Sequence, residues 1–252
     1  FAKAQDWLPY MEKIFVTQGL PRELTRIVFV ESMFNKEAIS KAGAKGMWQF
    51  MPDTARQYLI INKYIDERRS PLKSTKAAAK FLKYLYKMFN SWPLAITAYN
   101  HGPTSLLNAV KKLNTKDIDK ILQSYSAPSF GFASRNYYAE FIAAKNTYNN
   151  LVYKSKAQYK KSSDPYSSLV AVKLNKSIPI SYILKIESIK NNIDIFKEYN
   201  SCILESAFAN PRSVILPKGF ELYLPSKIAS RIWLSLNKIE NPSINNRLRF
   251  KL

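Results

Sequence analysis

Residues 26–55 read RIVFVESMFNKEAISKAGAKGMWQFMPDTA, and the reading of the whole chain turns on them. A single acid, Glu31, follows the apolar run Ile27, Val28, Phe29, Val30, with Met33 and Phe34 just beyond. On a helix, Leu24, Ile27 and Val28 stand seven, four and three residues before Glu31 and share its face. That face is the one expected to be buried. Burial disfavours a charged carboxylate, so Glu31 is expected to hold its proton to higher pH than an ordinary Glu. Spacing alone favours the other reading, a Glu at the rim of the stripe with its carboxyl in water. The next segment carries Ser40, Gly43, Ala44, Gly46, Gln49 and Met51, small residues and polar groups able to reach a carboxyl or a sugar.

Outward from this stretch the helical period continues. Leu8, Met11, Ile14 and Phe15 predict a helix over 7–18 that stops at Gly19, and Pro21 opens the helix of Glu31, expected to end near Asn35. A loop is expected over 36–46, and a helix from Trp48 to Tyr58 with Asp53 or Thr54 as cap. Ala78, Phe81, Leu82, Leu85, Tyr86 and Phe89 form a broad stripe on the next helix, which Trp92-Pro93 ends. Helices follow at 94–100, 104–113, 116–125 and from Tyr137 to Tyr153. With no strand-like alternation, residues 1–154 read as one all-α unit.

The composition shifts at KSKAQYKKSSDP, so 155–165 reads as a linker and 166–252 as a small α+β annex. In it, SSLVAVKL is strand-like, SYILKIESIKN reads as one helix, and VILPKGFELYLP as turns and a strand. Ile228, Ile232, Leu236 and Ile239 form a helical seam before a basic tail.

The 252 residues, 46% of them apolar, exclude a disordered or fibrous chain, and no apolar run is long enough to span a bilayer. Phe1 follows no leader, so the sequence reads as a mature or trimmed piece. One cysteine, Cys202, excludes an internal disulfide and reads as a buried filler. The net charge of +21 favours polyanions, such as anionic envelope polymers, but the basic residues are scattered. No nucleic-acid motif accompanies them, so no nucleic-acid partner is expected. The lone histidine, His101, has no partner at ligand spacing, so neither a metal nor a cofactor is expected.

Two ordered blocks then carry a specific resemblance. The pattern ES-x-F-N-x-x-A-x-S-x-A-G-A-x-G-x-W-Q-F-M-P-x-T-A over Glu31–Ala55, followed by AITAYNHG at 95–102, is similar to the motifs of the lytic transglycosylases, most like the membrane-bound lytic murein transglycosylase D type. The resemblance implies a lysozyme-like catalytic domain over 1–154 and, more weakly, a LysM-like annex that binds glycan. It implies that Glu31 is the catalytic acid and then base, cleaving the MurNAc-β-1,4-GlcNAc bond of peptidoglycan with 1,6-anhydro ends. The substrate-binding positions it marks are Ser40, Gln49, Met51, Tyr99, Asn100 and Tyr137. Of these, Tyr99 would bond the acid or the sugar, and Asn100 would support the cleft. Glu37 and Asp53, the acids nearest in sequence, match no catalytic position.

Tyr137 lies in SRNYYAEF, which departs from a family pattern E-T-R-x-Y-V: Ala133, Ser134 and Tyr138 replace Glu, Thr and Val, while Arg135 is kept. Trp48 and Trp92 read as packing aromatics. The expectation is a monomeric enzyme of the periplasm or cell envelope, membrane-anchored through a segment outside this sequence. The alternatives are a hydrolase like the goose-type lysozymes and a peptidoglycan-binding protein that does not cut.

Overall fold

A computed structural model of the chain describes residues 2–154 and 169–240. The linker expected at 155–165, the basic tail and the side chain of Ile239 lie outside the described residues. The chain forms two units, residues 1–58 with 71–160, and residues 59–70 with 161–252.

The first unit is helical, with isolated bridges as its only β pairing among the described residues. It opens with α1 (Ala2–Thr17), a 3-10 turn (Arg22–Arg26), α2 (Ile27–Ser32) and α3 (Pro52–Ala55). Then follow α4 (Pro71–Phe89), α5 (Trp92–His101), α6 (Pro103–Leu113), α7 (Ile118–Ser124) and α8 (Phe132–Lys154). The stripe read on α4 is buried: Ala78, Phe81, Leu82, Leu85 and Phe89 all face the core. Ser91 caps α5, its hydroxyl accepting from Leu94 N, and α5 packs against α4, α6 and α8. Asp117 caps α7 by accepting from Asp119 N and Lys120 N.

Two helical expectations here need correction. Pro21 opens a 3-10 turn, and α2 stops at Ser32, because Met33 and Phe34 both take left-handed backbone at φ 50° and 61°. The helix expected over Trp48–Tyr58 is only the turn Pro52–Ala55, and its N-cap, Met51, makes no side-chain cap bond. Trp48 is held from inside instead. It is fully buried, stacks on Phe15 at 5.5 Å and donates Nε1–H to Thr75 Oγ1 at 2.8 Å. Tertiary contacts thus override the helical preference of its neighbours.

The second unit contains β1 (Leu169–Lys173), β2 (Ile178–Pro179), α9 (Ile180–Leu184), α10 (Glu187–Lys190), α11 (Ile193–Tyr199) and α12 (Glu205–Ala209). It closes with β3 (Ile215–Leu216), β4 (Glu221–Pro225) and α13 (Ser226–Glu240). β1 pairs antiparallel with β4, Ala171 opposite Tyr223, and β2 pairs with β3. The single helix expected over 181–191 is broken at Lys185-Ile186 into α9 and α10.

The unit also takes in residues 59–70, which the sequence reading left inside the first domain. That segment is laced on by backbone bonds: Asp66 N donates to Cys202 O at 2.8 Å, and Leu204 N donates to Tyr64 O at 2.9 Å. Ile65 joins the apolar cluster of Val172, Ile203 and Leu222. Asp66 and Arg68 are both buried and form a bidentate pair at 2.9 and 2.8 Å. Asn200 bridges backbone, donating to Phe196 O and Tyr223 O and accepting from Tyr223 N, each at 2.9 Å. Asn200 thus serves the backbone of its own unit.

Candidate active site

The apolar face read from sequence is the buried face of α2, with Leu24, Ile27 and Val28 withdrawn from water. Glu31 lies at its edge, half-buried one residue from the helix end. Its carboxylate Oε1 accepts a hydrogen bond from the hydroxyl of Tyr137, a buried side chain on α8. The carboxyl is pushed up to about 7, first by burial. The Tyr137 hydrogen bond works the other way, and the negative charge of Glu140 adds to the rise. Burial, with Glu31 nearby, holds the Tyr137 and Tyr99 phenols well above their ordinary value, so both keep their protons. Among the described residues no cation pairs with Glu31. Arg26, the buried cation of this region, binds Glu12 and lies 4.5 Å over the Tyr148 ring.

The left-handed pair Met33-Phe34 turns the chain out of α2 into the loop that ends at Phe50. Ser32 pins this loop to the helix by donating to Met47 O at 2.8 Å. Within it, Ser40 Oγ accepts from Ala44 N, and Gln49 Nε2 donates to Gly46 O at 2.8 Å and Ala38 O at 3.2 Å. Gly43 has φ of 87° with open space around its α-carbon, so backbone conformation, not close approach, calls for glycine there. Ser40 and Gln49 thus shape the loop. Met51 stands exposed at its end.

Tyr99 was expected to reach the acid or the sugar. Its hydroxyl donates instead to Trp48 O at 2.8 Å, with its ring against Phe81 and Phe50. The charge of Glu31 raises the Tyr99 phenol, while the acid's own hydrogen bond comes from Tyr137. Asn100 is exposed and accepts from the Ser134 hydroxyl at 3.1 Å, joining the end of α5 to the start of α8. Arg135 donates to the carbonyls of Leu122, Tyr125 and Phe130, which fastens α7 and the following loop to α8. His101 bonds Ser105 and stacks edge-on to Phe130. Among the described residues no group of three or more His, Cys, Asp or Glu could hold a metal.

Sequence reasoning passed over Glu140. It stands one helical turn after Tyr137 and lines a groove of about 450 Å³ between α2 and α8, with Phe29, Val30, Met33, Ala144 and Leu151. The signal was present in the spacing 137 and 140 on a helix that the reading had already placed. Asp53, nearer in sequence, is exposed and pairs with Arg56 at 2.8 Å.

Residues 15–122 match the family described as Transglycosylase SLT domain. The chain is 34% identical over 128 residues to a protein from Alteromonas named for tributyltin chloride resistance, covering 50% of this chain and 62% of that one. It is 26% identical over 232 residues to the membrane-bound lytic murein transglycosylase D of Escherichia coli, covering 90% of this chain and 50% of that one. The chain therefore spans about half to three fifths of these relatives' length. Among solved structures, the lytic transglycosylase Slt of Pseudomonas aeruginosa aligns with a TM-score of 0.47 at 22% identity, over 57% of this chain and 24% of that one.

Proposed function

We propose that this chain, which carries an SLT-type lytic transglycosylase domain, cleaves the MurNAc-β-1,4-GlcNAc bond of peptidoglycan and leaves 1,6-anhydro-MurNAc ends. The observation that carries the reading is Glu31, a half-buried carboxyl with no cationic partner among the described residues, raised to about 7 and held by one phenol. A carboxyl so placed keeps its proton near neutral pH and can give it to the glycosidic oxygen as the bond to the anomeric carbon breaks. The carboxylate then takes the proton of the 6-hydroxyl of the same muramic residue. Its oxygen closes on the anomeric carbon, and no water is consumed. Attack from within the same sugar gains from high effective molarity, so the step needs no second carboxylate as nucleophile.

In this reading Tyr137 orients the carboxyl and stabilises the anion formed midway. Tyr99 and Trp48 brace the wall behind it, and exposed Met51 and Asn100 are offered to the glycan. Ser40 and Gln49 act through the loop they shape. The substrate places the protein in the periplasm or cell envelope, where its charge of +21 also favours anionic envelope polymers. Among the described residues no helix is long and apolar enough to cross a membrane. The LysM-like, glycan-binding reading of the second unit is part of the same proposal, supported by paired β1 and β4 that bracket its short helices.

The test is digestion of purified sacculi followed by mass spectrometry of the soluble fragments. Anhydro ends are expected. Reducing ends would make the protein a hydrolase, and intact sacculi that retain the protein would make it a binder.

A further inference from the structure

Glu140 has no role in the family pattern quoted above, yet three features of its place in the fold bear on Glu31. On α8 it lies three residues after Tyr137, so it sits one turn along the same face as the phenol that bonds the acid. It lines a groove with Val30, the residue before Glu31, and with Met33, two residues after it. The rest of that groove is mostly apolar, and an apolar wall leaves a charge less screened than open water does.

The groups facing Glu31 can be named element by element. α8 presents Tyr137 and Glu140, α5 presents Tyr99, and Arg26 before α2 is held by Glu12 of α1. Neither Glu31 nor Glu140 has a cationic partner among the described residues.

We propose that Glu140 is a positioning residue for the reaction of Glu31, a fixed negative charge on the groove wall that adds to burial in keeping the acid protonated until substrate takes the proton. The proposal rests on the peptidoglycan-cleaving reading of this site. Glu140 exchanges no proton and forms no bond. Before the first step, a like charge nearby disfavours ionisation of Glu31. After Glu31 has protonated the leaving oxygen, the same charge makes its carboxylate a stronger base for the 6-hydroxyl proton. One neighbour thus assists both halves of the cycle.

The variant Glu140→Gln keeps the shape and removes the charge, and Glu140 is exposed, so folding should be untouched. Two measurements on the full chain decide the matter. The first is direct titration of the Glu31 carboxyl by carbon-13 NMR, with Glu31→Gln identifying the resonance. Its midpoint should fall by roughly half a pH unit in Glu140→Gln. The second is the pH profile of kcat/KM on sacculi. Its alkaline limb should move down equally, giving about threefold lower activity near pH 8 and little change near pH 5. Higher salt should shift the wild-type limb toward that of the variant and leave the variant in place.

Identical midpoints, or an equal loss of activity at every pH, would overturn the proposal. Should wild-type protein leave sacculi uncut, the functional reading fails, while the Glu31 titration in the two proteins still decides what Glu140 does.

Discussion

Glu31 in the helical unit and Asp66 in the second unit are both carboxylates withdrawn from water, and the chain treats their charge in opposite ways. Asp66 meets a buried guanidinium in a two-point clasp and serves as a strut for the segment around it. Glu31 meets a phenol and, further off, another negative charge. A carboxylate compensated by arginine is settled in one state. One that is desolvated without a cation is poised between two states, and that poise is what proton transfer requires. Burial of an acid is therefore not informative until its partner is known.

The contrast can be broken from either side. The largest effect is expected from Glu31→Gln, which keeps the shape of the side chain but has no proton to transfer. Cleavage of sacculi should fall by about a thousandfold with circular dichroism unchanged. Asp66→Ala should do the reverse. It removes the two-point clasp on the buried Arg68 guanidinium and should cost about 3–5 kcal/mol in urea unfolding of the second unit. Replacing Asp66 and Arg68 together by apolar residues should recover most of that loss, since the pair acts as a strut rather than a site.

A third effect follows from proton linkage. Glu31 has a folded value near 7 against an unfolded 4.5, so the native state binds the proton more tightly. The stability it contributes is complete at pH below the unfolded value and is lost as pH rises from there through about 7. Glu31→Gln removes the titration. The variant should match wild type near pH 4 and exceed it by up to about 3 kcal/mol near pH 8, as read from thermal unfolding at the two values. The smallest change is expected from Ser134→Ala, which gives up one hydrogen bond to exposed Asn100 and should cost about 1 kcal/mol or less.

The same two carboxylates mark what could be read in advance. The stripe on α4 and the buried face before Glu31 follow from local periodicity, and both were legible. The end of α2 was not, because Met33 and Phe34 take a left-handed backbone without the glycine or asparagine that usually announces it. Trp48 was placed on a helix because its neighbours favour one, whereas its ring is fixed by Phe15 and Thr75 from distant elements. Tyr99 carried the right motif, but which hydroxyl reaches the acid depends on where α5 and α8 lie beside α2. Glu140 lies more than a hundred residues from Glu31 in sequence, so no local window around the acid contains it. The role of Ile65 and Asp66 was out of reach of any local window, since the chain they join lies more than a hundred residues further on, as in the bond from Ser201 to Arg69 O.

That last feature bears on how the protein can be divided. Because the strip from Leu59 to Ser70 is folded into the later unit, no single cut separates two self-sufficient pieces. Cleaving near Lys154 would keep the helices around Glu31 but orphan Ile65 and the Asp66–Arg68 clasp, leaving a sticky, unsupported excursion between α3 and α4. The later unit expressed alone would lack one of its own threads. The two halves are not interchangeable cassettes, and shuffling the helical half into another scaffold requires trimming that excursion as well.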